Sequence, residues 1–237
     1  MQKNYSFLLF LGIALAELIA VLLENEPLQW VFKPLLMPAL LFHLFTSIPT
    51  ENRSKLFRYI TLALLFSMGG DVALLFSGKA ELYFILGLAS FLIAHICYIV
   101  AFHKLDDEHQ TSFWGRLRQR NSFPIALVIV GYGITLYSYL FPKLDAFLKV
   151  PVALYALAIT LMALSLLIRK ELLAKNVFNG MFLGVLLFIF SDSCIAIDRF
   201  AMPIPKANFV IMITYIAAQY LIVRGVIKKE APSVRAY

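Results

Sequence analysis

Long apolar runs alternate with short polar clusters along the whole chain. A helix rises ~1.5 Å per residue, so a run of about 20 apolar residues crosses the ~30 Å hydrocarbon core of a bilayer. This ruler predicts about eight transmembrane helices. The predicted spans are 5–23, 30–46, 57–77, 81–102, 123–140, 150–168, 177–197 and 208–226. The pattern therefore predicts an all-α membrane protein in which residues 1–237 form a single polytopic domain.

The composition agrees with this architecture. Hydrophobic residues make up 61% of the chain and charged residues 15%, and the mean hydropathy is +0.82. A soluble domain averages about half apolar and a quarter charged residues. We therefore expect an integral, multi-pass protein, located in the cytoplasmic (inner) membrane if the source is bacterial.

The net charge of +7 reports orientation once the basic residues are placed along the chain. They concentrate near both termini and in the loops after the second, fourth and sixth spans. This group comprises Lys3, Arg53, Lys55, Arg58, Lys104, Arg116, Arg118, Arg120, Arg169, Lys170, Lys175, Arg224, Lys228, Lys229 and Arg235. The positive-inside rule places this side, and with it both termini, in the cytoplasm. The basic residues predict contact with membrane lipids and do not indicate a nucleic-acid partner.

Two aspartates interrupt the apolar spans and are the main candidates for catalysis. Asp71 and Asp192 each lie about three quarters of the way along a span, the third and the seventh. A charged side chain at the centre of a membrane helix costs about 3 kcal/mol, whereas an interhelical hydrogen bond returns only ~0.6–2 kcal/mol. A purely structural role does not recover that cost. We therefore expect both carboxyls to be functional.

The two aspartates also suggest an internal duplication. Each follows a small residue after a Phe-rich run, and the hydrophilic stretch 103–121 divides the chain into two groups of four spans. Asp71 and Asp192 lie in the third span of their groups. This arrangement is typical of parallel repeats in membrane proteins and explains the matching depth.

Further polar residues are expected near the aspartates. Asp71 lies about six residues, or ~9 Å, from the outer end of its span. Spacings of seven and four residues place Asn208, Tyr215 and Gln219 on one face of the eighth span. The residues expected to line a pocket that opens to the outer face are Asp71, Asp192, Lys33, Glu17, Tyr215 and Gln219. Additional substrate-binding candidates are His95, Tyr98, Asn208 and Ser191.

Several of these candidates have a second interpretation. Lys33 lies near the end of its span, where lysines commonly snorkel to the interface. His95 is also consistent with a packing residue, and Glu17 with an outer funnel shared with Glu24 and Glu26. No paired Cys/His ligand set and no zinc-protease motif occurs, so we expect neither a metal nor a cofactor.

Five segments together resemble the YhhN family of membrane proteins, whose characterised members are lysoplasmalogenases. Their order and spacing across nearly the whole chain carry the resemblance. The segments are Lys33-Pro34-Leu35, Gly70-Asp71-Val72-Ala73-Leu74, Ala94-His95-Ile96-Cys97-Tyr98, Ser191-Asp192-Ser193 and Tyr215-Ile216-Ala217-Ala218-Gln219-Tyr220-Leu221-Ile222. The resemblance implies hydrolysis of the vinyl ether of a lysophospholipid to a fatty aldehyde and a glycerophospho-base. It also implies that both aspartates are essential and that no metal is required.

The chemistry of a vinyl ether agrees with a carboxyl pair. Protonation of the terminal alkene carbon creates an oxocarbenium ion, which water attacks. One carboxyl must donate the proton and one carboxylate must stabilise the cation and activate water, as in glycoside hydrolysis. Either Asp71 or Asp192 can take either role. A shared site requires the two carboxyls to lie within about 12 Å of each other.

The substrate is expected to place its hydrocarbon chain in an apolar groove between the third and seventh spans. Lys33 is expected to hold the phosphate. Two other functions use similar residues, namely proton-coupled transport and intramembrane proteolysis by an aspartyl pair. Met68 stands where the protease motif requires glycine, and few spans are broken by glycine or proline as transport would favour.

Overall fold

The computed structural model describes residues 2–106 and 122–230, and these form a bundle of long helices. The helices are α1 (Gln2–Leu22), α2 (Glu26–Ser47), α3 (Lys55–Leu75), α4 (Glu81–His103), α5 (Ser122–Leu140), α6 (Ala146–Leu167), α7 (Lys175–Phe200) and α8 (Ala207–Glu230). All eight are long and apolar enough to cross a membrane, which confirms the predicted number of spans. The basic residues Arg116, Arg118, Arg120 and Arg235 lie outside the described residues.

Several helices extend beyond the predicted spans into the polar interface. Helix α2 begins at Glu26 because the Asn25 side chain accepts a hydrogen bond from the Leu28 amide at 3.1 Å, as an N-cap residue does. Pro34 therefore lies inside α2 instead of opening it. Helix α8 continues to Glu230, whose carboxylate accepts hydrogen bonds from Ser54 at the start of α3. A hydropathy window ends at the first charges, whereas the backbone hydrogen bonds of a helix continue past them.

Small residues let two helix pairs approach closely. A Cβ added at Gly70 of α3 would lie 2.5 Å from the Phe91 ring of α4. At Gly184 of α7 it would lie 2.9 Å from the carbonyl oxygen of Ala218 in α8. Close backbone approach at small residues is the usual way in which membrane helices associate. Gly70 is next to Asp71 and Gly184 lies eight residues before Asp192, so both contacts help to fix the helix that carries an aspartate.

The turns after α1, α3, α5 and α7 gather at one end of the bundle, here called the hairpin end. Trp30 near the start of α2 contacts Phe76 at the end of α3, with ring centroids 4.8 Å apart. Phe84 near the start of α4 contacts Phe200 at the end of α7 at 5.7 Å. The charge pattern of the loops predicts that this end faces away from the cytoplasm.

Candidate active site

Asp71 is held inside the bundle by a tyrosine from a distant helix. Its side chain lies on α3, is 2% exposed, and accepts a hydrogen bond from the Tyr215 hydroxyl of α8 at 2.8 Å. The Tyr215 ring meets the Phe91 ring edge to face at 5.9 Å. Gly70 gives Phe91 the space to do so, because any side chain there would overlap the ring. Gly70 therefore determines how Phe91 packs against Tyr215, the hydrogen-bond partner of Asp71.

Lys33 and Glu17 belong to the surroundings of Asp71. Lys33, on α2 and half-buried, interacts electrostatically with both Glu17 and Asp71. Glu17, on α1, is fully buried, and neither of its oxygens has a hydrogen-bond partner among the described residues. We call Glu17, Lys33 and Asp71 the charged cluster. It joins the first three helices.

Asp192 has a different set of partners. The Tyr155 hydroxyl of α6 donates a hydrogen bond to its Oδ2 at 2.5 Å. The His95 Nε2 of α4 lies 3.5 Å from the same oxygen, which is ion-pair distance without an aligned hydrogen bond. The Tyr155 ring meets the imidazole edge to face at 5.1 Å. Asp192 thus faces one ring nitrogen and one phenol hydroxyl.

A single phenylalanine links the two aspartate environments. Phe188 lies one turn before Asp192, is fully buried, and contacts the His95 ring at 4.9 Å and the Tyr215 ring at 5.6 Å. The carboxyls of Asp71 and Asp192 interact electrostatically. The structure therefore brings Asp71, Asp192, His95 and Tyr215 into one region of the bundle.

A hydrogen-bonded network of neutral groups lies about one helical turn farther from the hairpin end. The Tyr98 hydroxyl donates to the Gln219 Oε1. The Gln219 Nε2 donates to the Ser67 Oγ at 3.0 Å. These three buried residues tie α4, α8 and α3 together, and the amide oxygen and the amide nitrogen of Gln219 each have a hydrogen-bond partner. Tyr98 and Gln219 therefore hold together the helices that carry the site, on the side away from the hairpin end.

Two candidates take other positions. The Ser191 hydroxyl donates to the Ile211 carbonyl at 3.0 Å, so it ties α7 to α8. Asn208 is exposed in the first turn of α8, two turns from Tyr215. Neither residue is brought to a carboxyl by these contacts.

Two cavities meet at Asp192. The hairpin-end cavity, of about 450 Å³, lies between α3, α4, α6 and α7. The central cavity, of about 520 Å³, lies between α5, α6 and α7. Asp192, Tyr155, Val152 and Ala196 line both, whereas Asp71 lines neither.

The expected groove between the third and seventh spans corresponds in part to the hairpin-end cavity. Leu74 of α3 and Ile195 and Phe200 of α7 contribute to its wall, together with Phe84, Leu88 and Phe91 of α4. The central cavity has no wall from α3. Helix α5, the most peripheral helix of the bundle, forms one of its sides instead.

Tyr155 is a site residue that the sequence pattern did not reveal. Tyrosines are common in membrane helices, and the sixth span carries no charge beside it. The distance of Tyr155 from the end of its helix was the one available signal that it lies near Asp192. Tyr155 lies nine residues after Ala146, the start of α6, and Asp192 lies eight residues before Phe200, the end of α7. Both helix ends belong to the hairpin end, so the two side chains lie at nearly the same level.

Comparisons with known proteins agree with the resemblance noted in the sequence. The YhhN family model matches residues 28–226. The chain is 29% identical over 178 residues to the bovine protein named lysoplasmalogenase TMEM86A, covering 73% of this chain and 67% of the relative. It is 32% identical over 170 residues to human lysoplasmalogenase TMEM86B, covering 72% of this chain and 64% of the relative.

A bacterial relative gives a similar result. The chain is 30% identical over 168 residues to the lysoplasmalogenase of Mycobacterium bovis, covering 71% of this chain and 60% of the relative. The chain thus spans about two thirds of the length of the curated relatives it matches. No solved structure matches the chain significantly.

Proposed function

This chain belongs to the YhhN family, and we propose that it is a membrane hydrolase that cleaves the vinyl ether bond of lysoplasmalogens. The products would be a fatty aldehyde and a glycerophospho-base. Relatives named lysoplasmalogenase support the substrate class. The observation that carries the proposal is Asp192, a buried carboxyl that lines two mainly apolar cavities and interacts with a second buried carboxyl, Asp71.

Asp192 is the residue proposed to contact the substrate. Its carboxylic acid gives its proton to the terminal carbon of the C=C–O group, and the electron pair of the double bond forms the new C–H bond. The carbon attached to oxygen becomes an oxocarbenium ion. Asp192, now a carboxylate, takes a proton from the attacking water, and a hemiacetal forms. The hemiacetal hydroxyl then loses its proton, the C–O bond to glycerol breaks, and the glycerol oxygen takes up a proton.

Asp71 is proposed to supply negative charge close to the oxocarbenium ion. It lines neither cavity, so it acts across a short distance and not by contact. Its Tyr215 hydrogen bond and its interaction with Lys33 fix the position of that charge. A charge held in an apolar site stabilises a developing cation more strongly than the same charge in water. The two carboxyls thereby divide the roles that acid–base hydrolysis requires.

Tyr155 and His95 are proposed to position the Asp192 carboxyl. The Tyr155 hydrogen bond occupies Oδ2 from the α6 side, which leaves Oδ1 for the substrate. The imidazole of His95 borders the same oxygen from α4. Side chains locked by packing and hydrogen bonds hold catalytic groups in the geometry that the reaction needs.

Aldehyde release by purified protein tests the proposal. The protein in detergent is incubated with a 1-alkenyl lysophospholipid, and free fatty aldehyde is measured. The parent should release aldehyde and Asp192→Asn should not, while Asp145→Asn, at an exposed carboxyl before α6, should retain activity. The 1-acyl lysophospholipid should give no aldehyde. A parent protein without activity in detergent would overturn the proposal and favour transport, which needs a sealed vesicle.

A further inference from the structure

Arg199 lies beside two residues that line the hairpin-end cavity. It lies in the last turn of α7, its side chain is exposed, and its guanidinium carbon lies 4.9 Å from the centre of the Phe84 ring. Phe84 and the adjacent Phe200 both line that cavity. A guanidinium over an aromatic face is held in orientation by the ring quadrupole. Arg199 is therefore a pre-oriented cation where the cavity meets the interface.

The spacing between Arg199 and Asp192 suits one substrate molecule. Seven residues separate them, so they project from the same face of α7, about 10 Å apart along the helix axis. In a lysoplasmalogen the vinyl ether oxygen is bonded to one end carbon of glycerol and the phosphate to the other. The extended glycerol unit and the reach of an arginine side chain together bridge such a separation. A vinyl ether at Asp192 thus directs the phosphate towards Arg199.

Three other cations, Lys33, Lys143 and Lys149, are less well placed for the phosphate. Lys33 interacts with Glu17 and Asp71, and it lines neither cavity. Lys143 and Lys149 lie over the rings of Tyr139 and Phe141, which line neither cavity.

Two more charged groups near the hairpin end are already engaged. Lys79 lies over the rings of Trp30 and Phe76, which line neither cavity. Asp198, the acidic neighbour of Arg199, accepts a hydrogen bond from the Ile204 amide at 2.8 Å. Its carboxylate is thereby held against the turn after α7.

The central cavity gives the hydrocarbon chain of the substrate a direction opposite to that of its phosphate. Its α5 wall runs from Leu140, at the hairpin end, to Ile129, three turns farther into the bundle. Ile159 and Ile189 line its deeper part. A hydrocarbon chain attached to a vinyl ether at Asp192 therefore has an apolar path away from Arg199. The polar end of the same molecule is left at the hairpin end.

Building on the proposed function, we propose that Arg199 binds the phosphate of the substrate at the mouth of the hairpin-end cavity. The phosphodiester of the lysophospholipid is the ligand, and the guanidinium donates paired N–H···O bonds to it. The expectation that Lys33 holds the phosphate then becomes the competing assignment. Lys33 instead remains with the charged cluster around Asp71.

Two substrates that differ only in phosphate separate these assignments. Kinetic constants are measured with 1-alkenyl-lysophosphatidylcholine and with 1-alkenylglycerol, which has no phosphate. For the phosphate substrate, Arg199→Gln should raise KM about tenfold with little change in kcat. KM for 1-alkenylglycerol should stay at the parent value. Arg199→Lys should recover part of the loss, because it keeps the charge but not the paired geometry.

The controls decide between the outcomes. Lys143→Gln removes a hairpin-end cation away from the cavities and should leave both KM values unchanged. An equal effect of Arg199→Gln on both substrates, or no effect on either, would overturn the phosphate assignment. A phosphate-specific loss in Lys33→Met with none in Arg199→Gln would do the same and assign the phosphate to the charged cluster.

A binding experiment keeps this inference separate from the proposed reaction. Binding of 1-alkyl-lysophosphatidylcholine, which has no vinyl group, is measured with the full chain in nanodiscs. Arg199→Gln should weaken it about tenfold, and Lys143→Gln should not. If the parent binds this lipid through Arg199 but releases no aldehyde from the alkenyl lipid, only the proposed reaction fails. If Arg199→Gln binds like the parent, the inference fails whatever the activity.

Discussion

Asp71 lies four residues before the end of α3 and Asp192 eight residues before the end of α7, and their surroundings differ in kind. Asp71 is covered by Tyr215 and lies in a cluster of charged residues from α1 and α2. Asp192 borders both cavities and has the neutral Tyr155 and the imidazole of His95 at one oxygen. Two intramembrane aspartates in one chain therefore need not have equal roles. Because Asp192 lines the cavities, we propose that it contacts the substrate. Because Asp71 lies among charged residues, we propose that it supplies the balancing negative charge.

Each half of the chain supplies a neighbour to the aspartate of the other half. Asp71, in the first half, receives its hydrogen bond from Tyr215 in the second half. Asp192, in the second half, lies beside His95 from the first half. Phe188 contacts partners of both aspartates. A four-helix half alone would lack a neighbour of its aspartate, so the site requires the whole bundle.

The largest expected effect comes from removing either carboxyl. Asp71→Asn and Asp192→Asn should each lower aldehyde release by about 10²–10⁴-fold, because an amide neither protonates carbon nor carries a balancing charge. The measurement is the rate of aldehyde release by folded, purified variants. If either variant keeps more than about a tenth of the parent rate, that residue is neither the acid nor the charge that stabilises the cation.

Removing the tyrosine hydroxyls should cause the next largest loss of kcat, and the loss should differ between the two aspartate environments. Tyr155→Phe removes the hydrogen bond to a substrate-contacting carboxyl and should lower kcat about tenfold to a hundredfold, because the carboxyl loses its position. Tyr215→Phe should lower kcat less, since Asp71 keeps its interaction with Lys33. Steady-state kinetics of both variants test this order. A larger loss in Tyr215→Phe would reverse the roles given to the two aspartates.

The central cavity gives a prediction about chain length. Ala156 lines this cavity and does not line the hairpin-end cavity, so Ala156→Phe should fill the path of the hydrocarbon chain. KM should rise by about tenfold for long-chain substrates and little for short-chain ones. Leu161→Phe, a substitution on an exposed face of the same helix, is the control. An equal rise for all chain lengths would contradict the chain's path through this cavity.

The smallest expected effect concerns stability. Charged carboxyls are costly inside the membrane, so active sites commonly trade stability for function. Asp71→Asn keeps an oxygen that accepts the Tyr215 hydrogen bond and removes the proposed charge, so it should raise Tm by about 2–4 °C. Asp192→Asn replaces a carboxyl that is proposed to be protonated, so its Tm should stay close to that of the parent. Thermal unfolding in the same detergent measures this. A marked fall in Tm would instead indicate that the carboxyls stabilise the bundle.

Hydropathy predicted the eight helices because span length is set by bilayer thickness and apolar side chains. The same signal missed the ends of α2 and α8, which depend on the Asn25 cap and on Glu230 binding Ser54. The rarity of acids in membranes predicted Asp71, Asp192 and Glu17 as candidates.

Other parts of the site lie outside the reach of such patterns. Tyr155 was missed because a lone tyrosine in a membrane helix carries no charge that marks it. The cavities, and with them the difference between the two aspartates, depend on how α5, α6 and α7 pack around the remaining helices. Arg199 lies near the end of its span, where a basic residue is common, and only its contact with Phe84 places it beside a cavity.

The most direct test of the account is hydrolysis in deuterated water. Protonation of the terminal alkene carbon by the Asp192 carboxyl must deliver one solvent-derived hydron to the carbon next to the aldehyde. The aldehyde, trapped as it forms and analysed by mass spectrometry, should carry one deuterium at that carbon, and Asp192→Asn should form no such product above background. An aldehyde without deuterium, or labelled aldehyde formed equally by Asp192→Asn, would contradict acid catalysis by this carboxyl.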